Sequence, residues 1–396
     1  MTDAAGYQGL SLQERDRRYG LIRASMRERR LDALIIWGSC AKWDSKTANI
    51  RYISQIGGNG EEAMAIFPLE GEPTVFLWSP IMREEWLESQ QWVKDLRARR
   101  PNWSDVVVER LKEMRLEGAS LGVVGLEGRE PEGDIPYVTY SRILQGCPRA
   151  RFENATDLLE EIRLVKSAEE IELMREAMRI GDEATEVLYR MSRPGVGERD
   201  IFAEMIGVML KEGAEHPIMF LWESGSPDRA RRLTYNRNRT LKPGDVICTE
   251  YAPRFQGYYG HFQRAVAVQD PAPPYGKLLE ASALAYERGM SMARAGITVG
   301  EFYDACAEPI LSRGLAIYKG PLFHGVGLGW ETPLGMPGMS EQLRARKLVE
   351  GMTLAIEVGA ATEGRSKGVH LGDVVVIRKD GVESLSRFPV EMVSCR

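Results

Sequence analysis

Histidine is scarce in this chain: only His216, His261, His324 and His370 occur in 396 residues. A site built on imidazole has to draw on these four. No apolar run approaches the ~20 residues that a membrane-crossing helix needs, so no membrane association is expected. Basic residues are not in excess. Lys and Arg number 52 against 57 Asp and Glu, a formal net charge of −5, which gives no electrostatic reason for nucleic acid or an anionic membrane surface as partner. The five cysteines (Cys40, Cys147, Cys248, Cys306 and Cys395) are scattered and form no CxxC pair. That pattern excludes a disulfide framework or a structural zinc knot and points to a reducing cytoplasm. The opening segment MTDAAGYQGLSLQERDRRYG has no apolar core, so no secretory signal is expected.

The composition itself is that of an ordinary globular enzyme, 43% hydrophobic and 28% charged over a length suited to two domains. Residues 11–31 carry Leu, Ile and Met at helical spacing, and DALIIW at 32–37 follows as a buried strand. ANIRYIS (48–54), AMAIFP (63–68) and PTVFLW (73–78) read as further strands, with helices over 83–96 and 103–116 before the strand in SLGVVGLEG. Strands alternating with helices predict an α/β unit. Near 151–170 the pattern turns to a long amphipathic helix in which Ser167 and Glu170 form a capping box. The domain boundary is therefore set at about Thr156, giving domains 1–156 and 157–396. Beyond it the spacing predicts helices at 168–192, 198–212, 275–294 and 300–313, and strands near 217–222, 246–252, 262–268, 353–359 and 373–378.

Two acids stand out because of their surroundings. Glu250 lies in DVICTEYA and Glu357 in MTLAIEVGA, apolar runs where a carboxylate is not a solvated surface group. Burying such a charge unpaired costs several kcal/mol, so a functional role is favoured over a packing role. His324 sits in the glycine-rich segment FHGVGLGWETP, and His261 in GYYGHFQRA. His370 precedes Gly372 by two residues, and strand alternation points both to one face. Arg264 reads equally as a structural ion pair or as a binder of a substrate carboxylate. Phe220, Trp222, Tyr235, Tyr251, Tyr258, Tyr259, Phe323 and Trp330 cluster in sequence around these motifs. Core packing is the default for each; with Glu331 and Glu250 they would also suit a cationic ligand.

GLIRASMRERRLDALIIWG, EIRLVKSAEEIELMREAMRIGDEA, LKPGDVICTEYAPRFQGYYGHFQRAVAV, FHGVGLGWETP and EGMTLAIEVG follow one another in an order and spacing that resembles the creatinase/aminopeptidase P/prolidase superfamily over nearly the whole chain. The resemblance implies an α/β creatinase-type N-terminal domain followed by a pita-bread catalytic domain. It also implies a homodimer in which a loop of the partner's N-terminal domain closes the active site. The segment GGNGEE is the candidate for that loop, and a plain hairpin turn is its other reading. In the metallopeptidases of the superfamily the five ligand positions carry Asp, Asp, His, Glu and Glu. Here Glu250, His261, His324, Glu357 and Gly372 stand there. Glu331 stands where those enzymes have a second substrate-positioning His, and Thr234 where they have a pocket His.

With the bridging carboxylate absent and one acid replaced by a neutral imidazole, a dinuclear centre is not expected. The resemblance then implies a metal-independent, creatinase-like hydrolase with no cofactor, cleaving a C–N bond in a small polar molecule. His324, Glu357, Glu250 and His261 would carry the acid–base chemistry, and Glu331, His216, His370, Arg264, Tyr235 and Trp222 would bind substrate. Xaa-Pro peptides would be poor substrates on this reading. Two alternatives stay open. One is a metal-dependent Xaa-Pro peptidase, or a lyase like the dimethylsulfoniopropionate-cleaving branch, with Glu250, His261, His324 and Glu357 around a single divalent ion. The other is a catalytically inactive binding protein on the same fold.

Overall fold

The computed structural model describes residues 9–127, 133–225, 231–232, 239–271, 273–318 and 320–395. Tyr235 and Thr234 lie outside the described residues. The chain divides into two compact units, Met1–Arg163 and Leu164–Arg396.

The first unit is built on a six-stranded mixed sheet of β1 (Ala33–Gly38), β2 (Ala63–Pro68), β3 (Thr74–Leu77), β4 (Asp95–Ala98), β5 (Ser120–Val124) and β6 (Arg151–Asn154), in the order β4-β3-β2-β1-β5-β6. Every residue of β1 and β2 is buried, which is why both read as unbroken apolar runs. Two expectations fail here. ANIRYIS is a helix, Ala48–Ser54, not a strand. All its residues except Asn49 are buried, so no polar face marks the helical period. The helix expected over 83–96 stops at Ser89. Gln90 then folds its side chain back, accepting from Trp92 N at 2.7 Å and Val93 N at 2.8 Å, and β4 begins after that turn.

The second unit adds β7 (Met219–Gly225), β8 (Arg231–Arg232), β9 (Val246–Ala252), β10 (Arg254–Phe255), β11 (Tyr258–Tyr259), β12 (Phe262–Val268), β13 (Ala316–Ile317), β14 (Phe323–Val326), β15 (Trp330–Gly335), β16 (Thr353–Ala361), β17 (Gly368–Arg378), β18 (Gly381–Ser384) and β19 (Met392–Cys395). Among the described residues its main sheet runs β15-β14-β16-β17-β12-β9-β7-β8, with β13, β18 and β19 attached to β16, β17 and β12. The capping box at Ser167 and Glu170 starts the helix Ala168–Met191. This helix lies close against β12, because Gly181 leaves the space that the Phe262 ring fills. Phe302 of the helix Val299–Leu311 packs on Phe323 at 4.4 Å. Ile356 and Val358 join the core around the helix Tyr275–Met292. Helices thus cover one face of the sheet, and the strand pleat sends the alternate side chains to the other.

Candidate metal centre

Register decides which side chains meet on that other face. Gln263 on β12 lies opposite Glu250 on β9 and opposite Gly372 on β17; Gly372 in turn lies opposite Glu357 on β16. His324 pairs with Ala355, two residues from Glu357, and His370 pairs with Gly359, two residues the other way. Glu250, Gln263, Glu357, His324 and His370 therefore share one face, and His261 joins them two residues before Gln263.

Contacts among them are close. His324 donates from Nδ1 to the Gly325 carbonyl at 2.8 Å, which leaves its Nε2 lone pair facing Glu357 Oε1 at 3.6 Å. The Gln263 amide nitrogen lies 3.0 Å from His261 Nε2 and 3.1 Å from Glu357 Oε2. An amide nitrogen only donates, so His261 Nε2 accepts; its proton then sits on Nδ1, which is buried without a hydrogen-bond partner. The same Nε2 is 3.4 Å from Glu250 Oε1. His370 donates from Nε2 to the Glu357 carbonyl oxygen at 3.0 Å and turns Nδ1 toward Glu250 Oε2 at 3.9 Å. His261, His324 and Glu357 are all buried, and one ligand atom from each lies within 4.8 Å of the others.

This donor set fits one divalent ion. Two imidazoles and one carboxylate are a normal zinc-type combination with room for a further ligand. At His324 and at His370 a ring-nitrogen lone pair faces a carboxylate oxygen with no proton between them, an arrangement that a cation relieves. An ion at His261 would take the Nε2 lone pair that now accepts from the Gln263 amide. The carbonyl bond that fixes the His324 tautomer is the outer-shell partner a ligating imidazole needs.

Trp330 completes the face. Its ring lies 5.0 Å from that of His261, 5.5 Å from that of His324 and 4.8 Å from that of Tyr259. A register shift between His324 and Gly325 sets Glu331 beside Gly325, on the opposite side from the imidazoles. There Glu331 forms an ion pair with Lys166, both side chains almost fully buried. At this turn Trp330, not Glu331, stands next to the histidines, so a substrate contact from Glu331 does not follow from its place. Lys166 is a residue that the sequence reading missed.

Three other candidates are not brought to this face. Arg264 projects to the helix-covered side, donating to the Gly372 carbonyl at 2.6 Å and lying 3.5 Å from Asp373. Burial pushes the Asp373 carboxyl up to about 7 despite that guanidinium. Trp222 pairs with Thr249, one residue off Glu250, and is buried on the far side of the pleat. His216 is exposed in the segment before β7, where its carbonyl accepts from Arg254. Gln263 is the reverse case: no signal in QRAVAV singled it out, yet it is fully buried at the centre of the cluster.

Comparison with known proteins agrees with this architecture. A creatinase/prolidase N-terminal domain profile matches residues 18–165, and that of metallopeptidase family M24 matches 172–379. Curated relatives include an Xaa-Pro dipeptidase of Pyrococcus horikoshii, 26% identical over 73% of this chain and 81% of its own length. A probable dipeptidase PepE of Mycobacterium bovis is 28% identical over 73% and 82%. Among solved structures, the prolidase of Pyrococcus horikoshii OT3 superposes with a TM-score of 0.77 at 21% identity, covering 95% of this chain and 99% of that one. The X-Pro aminopeptidase of Thermotoga maritima gives 0.77 at 21%, with the same coverage.

These findings overturn the metal-independent, creatinase-like hydrolase expected from the sequence, and the expectation of no cofactor loses its support. The relatives are named as dipeptidases, and the matched catalytic domain is that of a metallopeptidase family. The physical reason is that an imidazole at 261 removes a charge from the centre but not a metal-binding donor. The N-terminal and catalytic profiles together span most of the sequence, and the chain belongs to metallopeptidase family M24.

Proposed function

We propose that this chain is a metal-dependent dipeptidase that hydrolyses the C–N bond of small Xaa-Pro-type substrates with a single divalent ion held by His261, His324 and Glu357. The convergence of those three buried side chains carries the reading, and the dipeptidase names of the relatives support the substrate class. When bound, such an ion supplies Lewis acidity toward a carbonyl oxygen and toward water. Glu250 is the more exposed carboxylate, 13% against 6% for Glu357. We assign it the general base that takes a proton from attacking water and returns it to the leaving nitrogen. Trp330 offers an apolar wall for the prolyl ring. On the same reading the chain acts as a homodimer in the cytoplasm, with its five cysteines reduced.

The test is release of free proline from Xaa-Pro dipeptides by the purified chain before and after chelation. Hydrolysis is expected to fall at least about 100-fold on chelation and to return with manganese, cobalt or zinc. Turnover untouched by chelator, or absent from every Xaa-Pro dipeptide under all metal conditions, contradicts the proposal.

A further inference from the structure

The centre contains a side chain with no evident place in a hydrolytic step. Gln263 is fully buried, and its carboxamide bridges two of the proposed ligands, His261 Nε2 at 3.0 Å and Glu357 Oε2 at 3.1 Å. The orientation of this amide follows from chemistry: the opposite one would set its oxygen against the Glu357 carboxylate, two acceptors face to face. Its Oε1 is buried with no hydrogen-bond partner and points at the bare Cα of Gly372. A Cβ at position 372 would fall inside contact distance of that oxygen and of the Ile356 carbonyl, and 2.8 Å from Glu357 Cα. Gly372 and Gln263 are direct cross-strand neighbours. Gln263 thus fills the room that Gly372 leaves.

The two oxygens of Glu357 have different partners as a result. Oε1 faces His324, while Oε2 accepts from the Gln263 amide. A second cation beside the first needs an anionic oxygen to share between the two. Here that oxygen is occupied by an N–H donor, position 372 has no side chain, and position 263 supplies no charge. We infer that Gln263, seated against Gly372, holds Glu357 by its Oε2 so that Oε1 is turned to a single ion beside His324, and excludes a second ion. The inference rests on the single-ion reading above and names the residues that enforce it.

Manganese alone is the probe. Apo chain titrated with Mn2+ and followed by native mass spectrometry and EPR is expected to take up one ion per chain with an uncoupled signal. Gln263→Glu replaces the donor by an oxygen of the same shape, within reach of Glu357 and across the ladder from Glu250. It is expected to take up two ions and to show a spin-coupled pair. Gln263→Met keeps the bulk without the amide. It is expected to bind one ion about 10- to 100-fold more weakly, the usual scale for losing a residue that orients a ligand. This second variant keeps the inference testable if Gln263→Glu folds poorly. Two ions in the unmodified chain, or one ion held with unchanged affinity by the variants, overturns the inference and leaves metal dependence standing. No ion in the unmodified chain overturns both.

Discussion

Replacing His324 by alanine is expected to lower turnover of an Xaa-Pro dipeptide at least about 100-fold. Loss of a residue that only orients a ligand costs about 10- to 100-fold, and His324 is a proposed ligand itself. Its ring is positioned twice over: Nδ1 is committed to the Gly325 carbonyl, and Nε2 is thereby presented to Glu357. Glu357→Gln should have an effect of the same order, because the amide loses the negative charge and presents one oxygen where the carboxylate presents two. Neither change opens a large core cavity, so both variants should keep the circular dichroism spectrum and close to the melting temperature of the parent. Near-normal turnover by either variant would remove that residue from the site while leaving the fold intact.

The largest effect on stability is expected at Lys166. Its ammonium and the Glu331 carboxylate form an ion pair with side chains only 1% and 2% exposed. Removing one member of a buried pair leaves the other charge in a low-dielectric site and costs about 3–5 kcal/mol. Lys166→Met should therefore lower Tm by roughly 10 °C, given a few degrees per kcal/mol for a unit of this size. The paired change Lys166→Met with Glu331→Leu removes both charges and should regain most of that loss. Because Glu331 adjoins Trp330 at the turn beside His324, the single variant should also lose activity and the paired variant recover part of it. A single variant that melts within about 2 °C of the parent would mean that the pair contributes no more than a surface salt bridge.

The contrast between Lys166 and His324 shows what the sequence exposes. Glu250, His261, His324 and Glu357 were legible because each is a polar residue in an apolar or glycine-rich setting, and the structure brings all four to one face. Lys166 was not, since in EIRLVKSAEE a lysine reads as one more solvated charge and only the tertiary pairing buries it. Gln263 was hidden for a similar reason: the vacancy at Gly372 is visible in the sequence, but what fills it depends on which strands are neighbours. Arg264 could have been placed by alternation alone. It lies three residues from His261 and one from Gln263, an odd offset that sends it through the sheet. Trp330 rather than Glu331 stands on the histidine face because Trp330 lies opposite Val326, two residues from His324, and Glu331 opposite Gly325, a pairing that depends on which strands are neighbours. In the N-terminal unit the same limit appears at 48–54, where burial on all sides erased the helical period.

The claim that one ion sits among His261, His324 and Glu357 is tested most directly by anomalous diffraction from crystals of the chain loaded with zinc or manganese, measured at the absorption edge of the metal. One peak per chain, bounded by the two imidazoles and the Glu357 carboxylate, is the expected result. Two peaks in the unmodified chain, a peak held by other residues, or no peak at saturating metal would contradict it.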